Sequence, residues 1–140
     1  MTNNVSTLLQ DNAGKLPKDW LDSTFSKYMD ITYIGKPEQE SYALEFNEKF
    51  IGNPSLRAFH GGIVATFIEA VAQFHLFKNK RQLSLHTPET VTIDYLRPAL
   101  STNLVAIPEV VRIGRSVSTI AVNVYQKEKI VAKGRVIFTD

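Results

Sequence analysis

Phe59-His60-Gly61-Gly62-Ile63-Val64-Ala65-Thr66-Phe67-Ile68-Glu69-Ala70-Val71-Ala72-Gln73-Phe74 is the stretch whose reading decides the fold. A His-Gly-Gly turn opens a run that predicts a helix over 61–78, apolar on nearly every side. At 100° per residue, Gly62, Thr66, Glu69 and Gln73 follow a 4-3-4 spacing and share one stripe. The positions around them, Ile63 to Leu76, are otherwise apolar up to His75. A helix of this kind needs enclosure, and a carboxylate in its middle is costly unless something compensates for it. The stripe therefore reads as a seam facing a pocket or a partner. A solvent-exposed edge or a structural ion pair is the plainer alternative for Glu69.

Working outward, the chain before this helix is short of strong signals. Residues 1–15 are polar, end near Gly14 and read as a mobile leader or short helix. Leu16, Trp20, Leu21, Phe25 and Tyr28 recur at helical spacing, which predicts an amphipathic helix over 16–29 with Pro17 in its first turn. Ile31 and Tyr33, then Tyr42, Leu44 and Phe46, alternate with polar neighbours and predict strands near 30–35 and 40–47. Residues 51–59 carry turn chemistry and read as a loop. After the helix nearly everything alternates: 90–96, 104–111 running past Pro108, 117–125, and 130–138 after a turn at Lys127-Glu128-Lys129. Short connections between the later strands require antiparallel pairing. One sheet buries one face, so the economical arrangement is an antiparallel sheet wrapped around the central helix. That is an α+β hotdog fold in a single domain spanning 1–140.

Composition sets bounds on function. Hydrophobic content of 44% and charged content of 21% are ordinary for a globular domain. A net charge of +2 with scattered Lys and Arg argues against a nucleic-acid partner. The basic cluster Lys78-Asn79-Lys80-Arg81 suits a helix C-terminus. No apolar run is long enough for a membrane span, and the N-terminus lacks a secretory pattern. The absence of cysteine excludes disulfides and thiolate chemistry and fits a cytoplasmic location. His75 and His86 have no metal-ligand spacing, so no metal is expected. Phe67, Phe74 and Phe77 read as core.

The glycines add chemistry. Free N–H groups at a helix N-terminus attract negative charge, and glycine allows a ligand close to the backbone. Such a place suits a carbonyl oxygen that becomes negative during acyl transfer. The pattern His60-Gly61-Gly62-(six residues)-Glu69, with Ile93-Asp94-Tyr95-Leu96-Arg97-Pro98 and the pair Arg112 and Arg115, resembles the hotdog acyl-CoA thioesterases. It is most similar to the PaaI type within the 4-hydroxybenzoyl-CoA thioesterase superfamily, over about residues 40–140. The resemblance implies that Glu69 is the catalytic carboxylate, acting as nucleophile or as base for water. It implies that the Gly61 amide polarises the thioester carbonyl, that His60 holds the turn, and that Gln73 orients the acid or the water. Many members have Asn or Gln six residues before the His; here that position is Pro54, and the adjacent Asn53 is the candidate for the role. Gly62, Thr90, Arg97, Arg112 and Arg115 are the candidate substrate-binding residues, with Lys133 a further cation for the phosphates of coenzyme A. No cofactor is implied beyond the CoA thioester as substrate.

Gly61 and Glu69 are eight residues apart, about 12 Å along a helix. Both cannot act on one carbonyl carbon unless they come from different chains. The expectation is an obligate homodimer with two shared sites; whether two dimers pair into a homotetramer stays open. Two rival readings remain. A hotdog hydroxyacyl dehydratase shares the Glu69-Ala70-Val71-Ala72-Gln73 stretch but needs a His about fourteen residues earlier, where this chain has Ser55. A non-catalytic acyl-ligand binding dimer would use the same fold without hydrolysis.

Overall fold

The computed structural model describes residues 2–4, 24–36, 38–80 and 86–139. In chain order these form β1 (Thr2–Asn4), α1 (Thr24–Met29), β2 (Thr32–Ile34) and β3 (Ser41–Leu44). A short 3₁₀ turn (Glu48–Phe50), β4 (Ile51–Asn53), β5 (Ala58–Phe59) and the long helix α2 (Gly61–Lys80) follow. β6 (Pro88–Tyr95), β7 (Leu104–Ile113), β8 (Val117–Gln126) and β9 (Lys129–Thr139) complete the described chain. The main sheet has the order β1-β2-β3-β7-β8-β9-β6, and every neighbouring pair is antiparallel.

The two strand prolines sit where a missing N–H does no harm. Pro88 starts β6, which lies at the sheet's edge. Pro108 is in the middle of β7, but β3 pairs only with Leu104, Val105 and Ala106. Beyond Ala106 that side of β7 has no ladder among the described residues, while its other side continues along β8.

α2 lies on one face of this sheet, touching β6, β7, β8 and β9. Phe67, Ile68, Val71, Phe74, Leu76 and Phe77 are fully buried there, against Leu104, Ile120, Val122, Val124 and Val136. The approach is close because β9 carries Gly134. A Cβ at that position would stand 2.5 Å from Ile68 Cγ2, inside any real contact distance. The last turns of α2 are anchored by polar groups. Lys78 pairs with Glu40 and donates to Tyr33 Oη at 3.3 Å, and His75 Nδ1 stands 3.7 Å from Glu40 Oε2. Burial holds the His75 imidazole below its ordinary value, so it is neutral near pH 7 and the contact is not an ion pair there. Lys78 thus has a structural partner and is not part of a purely solvated basic cluster.

Three expectations need correction or trimming. Thr2–Asn4 is a strand paired with β2, not part of an unpaired leader; the rest of 1–15 lies outside the described residues. Of the helix expected over 16–29, the described part is Thr24–Met29, and residues 16–23 lie outside. The segment 51–59 is not simply a loop: Ile51 pairs with Phe59 and Asn53 with Ala58, so the turn residues between them close a small hairpin. Strands of three and two residues are too short for alternation to reveal them.

Candidate active site

The helix start is built by contacts from three segments. The His60 amide donates to Phe50 O at 2.7 Å, and the Phe59 amide donates to Ala99 O at 2.8 Å. These bonds fix the chain as it enters α2. The His60 carbonyl accepts from the Ile63 amide at 2.9 Å, and its Nδ1 accepts from the Gly62 amide at 2.8 Å. His60 is therefore a side-chain cap, the role usually taken by Ser or Asp. Because Nδ1 accepts, the neutral ring carries its proton on Nε2. Gly52 makes room for this arrangement, since a Cβ there would come within 2.6 Å of His60 Cα.

With Gly62 satisfied by His60, the Gly61 amide is left over. No hydrogen bond among the described residues uses it, and Gly61 is exposed. Its carbonyl is held from the other side: Tyr95 Oη donates to Gly61 O at 2.8 Å. Gly61, Phe59, Val64, Tyr95 and Arg97 border a cavity of about 420 Å³. An uncommitted amide at a helix N-terminus, facing a cavity, is the geometry that stabilises a developing oxyanion.

Glu69 lies elsewhere. It is half-buried in a second cavity of about 340 Å³, bordered by Phe25, Met29, Ile31, Thr66 and Gln73. The carboxylate is less enclosed than the apolar helix suggests. Around Glu69 itself, the described walls of the cavity beyond α2 are α1 and Ile31. No ion pair or hydrogen bond reaches Glu69 among the described residues. Thr66 donates to Gly62 O at 2.8 Å, and Gln73 Nε2 donates to His86 O at 3.0 Å, tying the chain before β6 to the helix.

The other candidates divide between these places. Arg97 borders the Gly61 cavity. Asn53 is exposed in the β4–β5 turn, where its Oδ1 accepts from the Leu56 amide at 3.2 Å. Thr90, Arg112, Arg115 and Lys133 are exposed and border neither cavity. Arg112 faces Thr119, which faces Ile137, which faces Thr90, a row near one end of the sheet. Tyr95 is five residues further along β6, about 17 Å away at strand rise. Tyr95 belongs to the motif at 93–98, and the sequence alone assigns no role to its hydroxyl. The signal was available: an aromatic hydroxyl at a strand end, just before Arg97-Pro98.

Comparison with known proteins now bears on this geometry. Residues 53–139 match the family described as acyl-CoA thioesterase N-terminal domain. The chain belongs to the acyl-CoA thioesterase family. The match begins at Asn53 and takes in both ends of the stripe on α2. No curated protein matches this thioesterase-family chain in sequence. Among solved structures, E. coli PaaI, from the phenylacetic acid degradation operon, is 20% identical with a TM-score of 0.75, over 96% of this chain and 94% of that one. Zebrafish thioesterase superfamily member 2 is 18% identical with a TM-score of 0.75, over 96% and 94%. A phenylacetic acid degradation-related protein of Ralstonia eutropha is 17% identical with a TM-score of 0.77, over 99% and 100%. These likenesses establish the hotdog fold for this thioesterase-family chain. Among the described residues, no helix is long and apolar enough to cross a membrane.

Proposed function

We propose that this protein is an acyl-CoA thioesterase, hydrolysing a CoA thioester to a carboxylic acid and free coenzyme A. The observation that carries the reading is the separation of two complementary groups on one helix. The uncommitted Gly61 amide and the Glu69 carboxylate border different cavities, so each is half of a reaction centre. A homodimer in which two α2 helices run antiparallel would bring Gly61 of one protomer to the partner subunit's Glu69. β6 supplies a route to that pairing. It is an eight-residue edge strand with Val91 38% and Tyr95 55% exposed, the kind of edge that natural proteins cover or pair. A two-fold axis across β6 makes the contact self-complementary and produces two equal sites.

In this reading the thioester carbonyl oxygen accepts from the Gly61 amide, whose carbonyl Tyr95 holds in place. The partner subunit's Glu69 either takes a proton from the attacking water or attacks the carbonyl carbon to form a mixed anhydride, which water then hydrolyses to the acid and free Glu69. Negative charge growing on the oxygen is stabilised by the amide and the helix terminus, and collapse expels the thiolate of coenzyme A. The acyl group occupies the apolar cavity beside Glu69, against Phe25, Met29 and Ile31. Gln73 keeps the wall of that cavity in place through His86 O. Ser55, where a dehydratase would need its histidine, lies in the β4–β5 turn, so the second acid–base group of that reaction is missing at that position.

The test is thiol release over a panel of acyl-CoA thioesters, comparing the parent with Glu69→Gln. The variant is expected to remain a folded dimer and to lose at least about a hundredfold in turnover, the usual size of an acid–base contribution. Tight acyl-CoA binding with no Glu69-dependent hydrolysis would establish the binding-protein reading. Release of a 2-enoyl product would establish the dehydratase.

A further inference from the structure

α1 (Thr24–Met29) turns two different faces to its surroundings. Phe25 and Met29, four residues apart and so on one side of the helix, wall the cavity beside Glu69. Tyr28 packs instead against the 3₁₀ turn at Glu48–Phe50 and does not border that cavity. A helix of six residues does not hold its shape in water by propensity alone, so contacts with the rest of the fold decide where it stands. Where the cavity wall lies therefore depends on what grips α1.

Tyr28 is the gripped residue. The Lys49 ammonium lies 4.2 Å from the centre of its ring, and the Phe50 ring meets it edge-on at 5.5 Å and 65°. Its hydroxyl donates to Lys49 O at 3.3 Å. Within α1, the Phe25 ring of the cavity wall meets Tyr28 edge-on at 6.4 Å. The fixed half of this grip is firm. Phe50 is buried, stacks on Phe59 at 5.9 Å and 22°, and its carbonyl accepts from the His60 amide at the start of α2. The α1 half is looser. Phe25 remains 57% exposed, and the helix ends at Asp30 with φ 49, a left-handed turn at the entry to β2. One ammonium over a ring and edge-on aromatic contacts at a part-exposed site are weak ties. They make a latch that can open.

We propose that Tyr28 is a positioning residue that sets acyl selectivity: it latches α1 against Lys49 and Phe50, and the latched helix fixes how far the cavity beside Glu69 extends. The inference rests on the thioesterase reading and deepens it. Short acyl groups fit under the closed wall of Phe25 and Met29. Longer or bulkier groups reach that wall and have to push α1 outward against the grip on Tyr28. Discrimination against them is the free energy of opening the latch, and it is lost where the latch is removed. Tyr28 does this without touching the substrate. The helix start at Gly61 is spared, because the Phe50 carbonyl and the His60 amide lie on the fixed side.

The experiment uses the full chain and two series of graded chain length. One is acyl-CoA thioesters; the other is 2-oxoalkyl-CoA thioethers, which keep a ketone carbonyl but have no thioester bond to hydrolyse. The readouts are the long-chain to short-chain ratio of affinity for the thioethers, by calorimetry, and the same ratio of kcat/KM for the thioesters. In Tyr28→Ala both ratios should rise about tenfold, the scale of discrimination by pocket size, through KM and with the short-chain kcat kept. Lys49→Met, at an exposed position, should move both ratios about threefold in the same direction, and it carries the test if Tyr28→Ala folds poorly. Tyr28→Phe keeps the ring and should restore the parent's ranking. Unchanged ratios in the folded variants, or an equal loss at every chain length, overturn the latch; thioester turnover in those same variants leaves the thioesterase reading intact. A shifted thioether ratio without hydrolysis of any thioester does the reverse.

Discussion

The two cavities along α2 use different parts of the chain. At the Gly61 end the proposed reactive group is backbone, and its position is set by contacts that no single side chain controls: the His60 cap, the Tyr95 hydroxyl, and the close passage of Gly52. In the second cavity the proposed reactive group is the Glu69 side chain, and among the described residues its surroundings come from the helix itself, α1 and Ile31. Backbone donors are rigid and hard to delete, whereas a carboxylate is easily deleted and its environment easily altered. Substitutions at the two ends should therefore fail in different ways.

The largest effect is expected at the backbone end, from the one substitution that removes the donor alone. Proline is well tolerated at the first position of a helix and has no N–H. Gly61→Pro is expected to lower kcat by about 10²–10³, the size of losing one oxyanion donor, with the helix retained by circular dichroism. Mixing that variant with Glu69→Gln then tests whether the ends belong to different centres. Random exchange of subunits should restore activity toward about a quarter of the parent's, because half the dimers then carry one intact site. No recovery in exchanged dimers would place both groups in one centre.

Phe25→Ala probes the side-chain end. Enlarging that cavity should change the ranking of acyl chains by kcat/KM about tenfold, as changes of pocket volume do, while leaving the response to free coenzyme A unchanged. His60→Ala returns to the helix start, where loss of the cap should cost about 1 kcal/mol in denaturant unfolding with an unchanged slope. The smallest effect is expected from His75→Leu, away from both cavities. The folded chain resists protonating the buried His75, whereas the unfolded chain takes up that proton near the ordinary imidazole value. Its contribution to stability is therefore complete above pH ~6.5 and is lost as the pH falls below that value. Removing the imidazole should flatten this acid decline, read by thermal unfolding against pH, without changing kcat.

The central helix and the long strands were legible in the sequence because periodicity reports burial directly. From Ser118 to Gln126, β8 alternates buried and partly buried residues without a break. The stripe of Thr66, Glu69 and Gln73 was legible for the same reason, and so was the separation of Gly61 from Glu69, which is helix arithmetic. Thr2–Asn4 was not, because three polar residues join the sheet through their backbones and show no apolar signature. The role of Tyr95 is not legible in the sequence because its partner is a carbonyl 34 residues away. The spread of the cations was equally hidden. Which of Arg97, Arg112, Arg115 and Lys133 stand together depends on strand register and on where β6 ends, and neither is written in local sequence.

Gly134 shows how far the demands of the proposed chemistry extend. The residue borders neither the Gly61 nor the Glu69 cavity, yet the absence of its side chain allows Ile68 to lie against β9. The next residue on the helix is Glu69. A side chain at 134 would force Ile68, the strand or α2 to shift, and a shift of α2 moves the carboxylate. In evolutionary terms the position should tolerate almost nothing, and the failed variants would include some that fold and unfold normally but turn over poorly. The set of mutations expected to silence this protein therefore includes a position in the sheet, away from the proposed reacting groups.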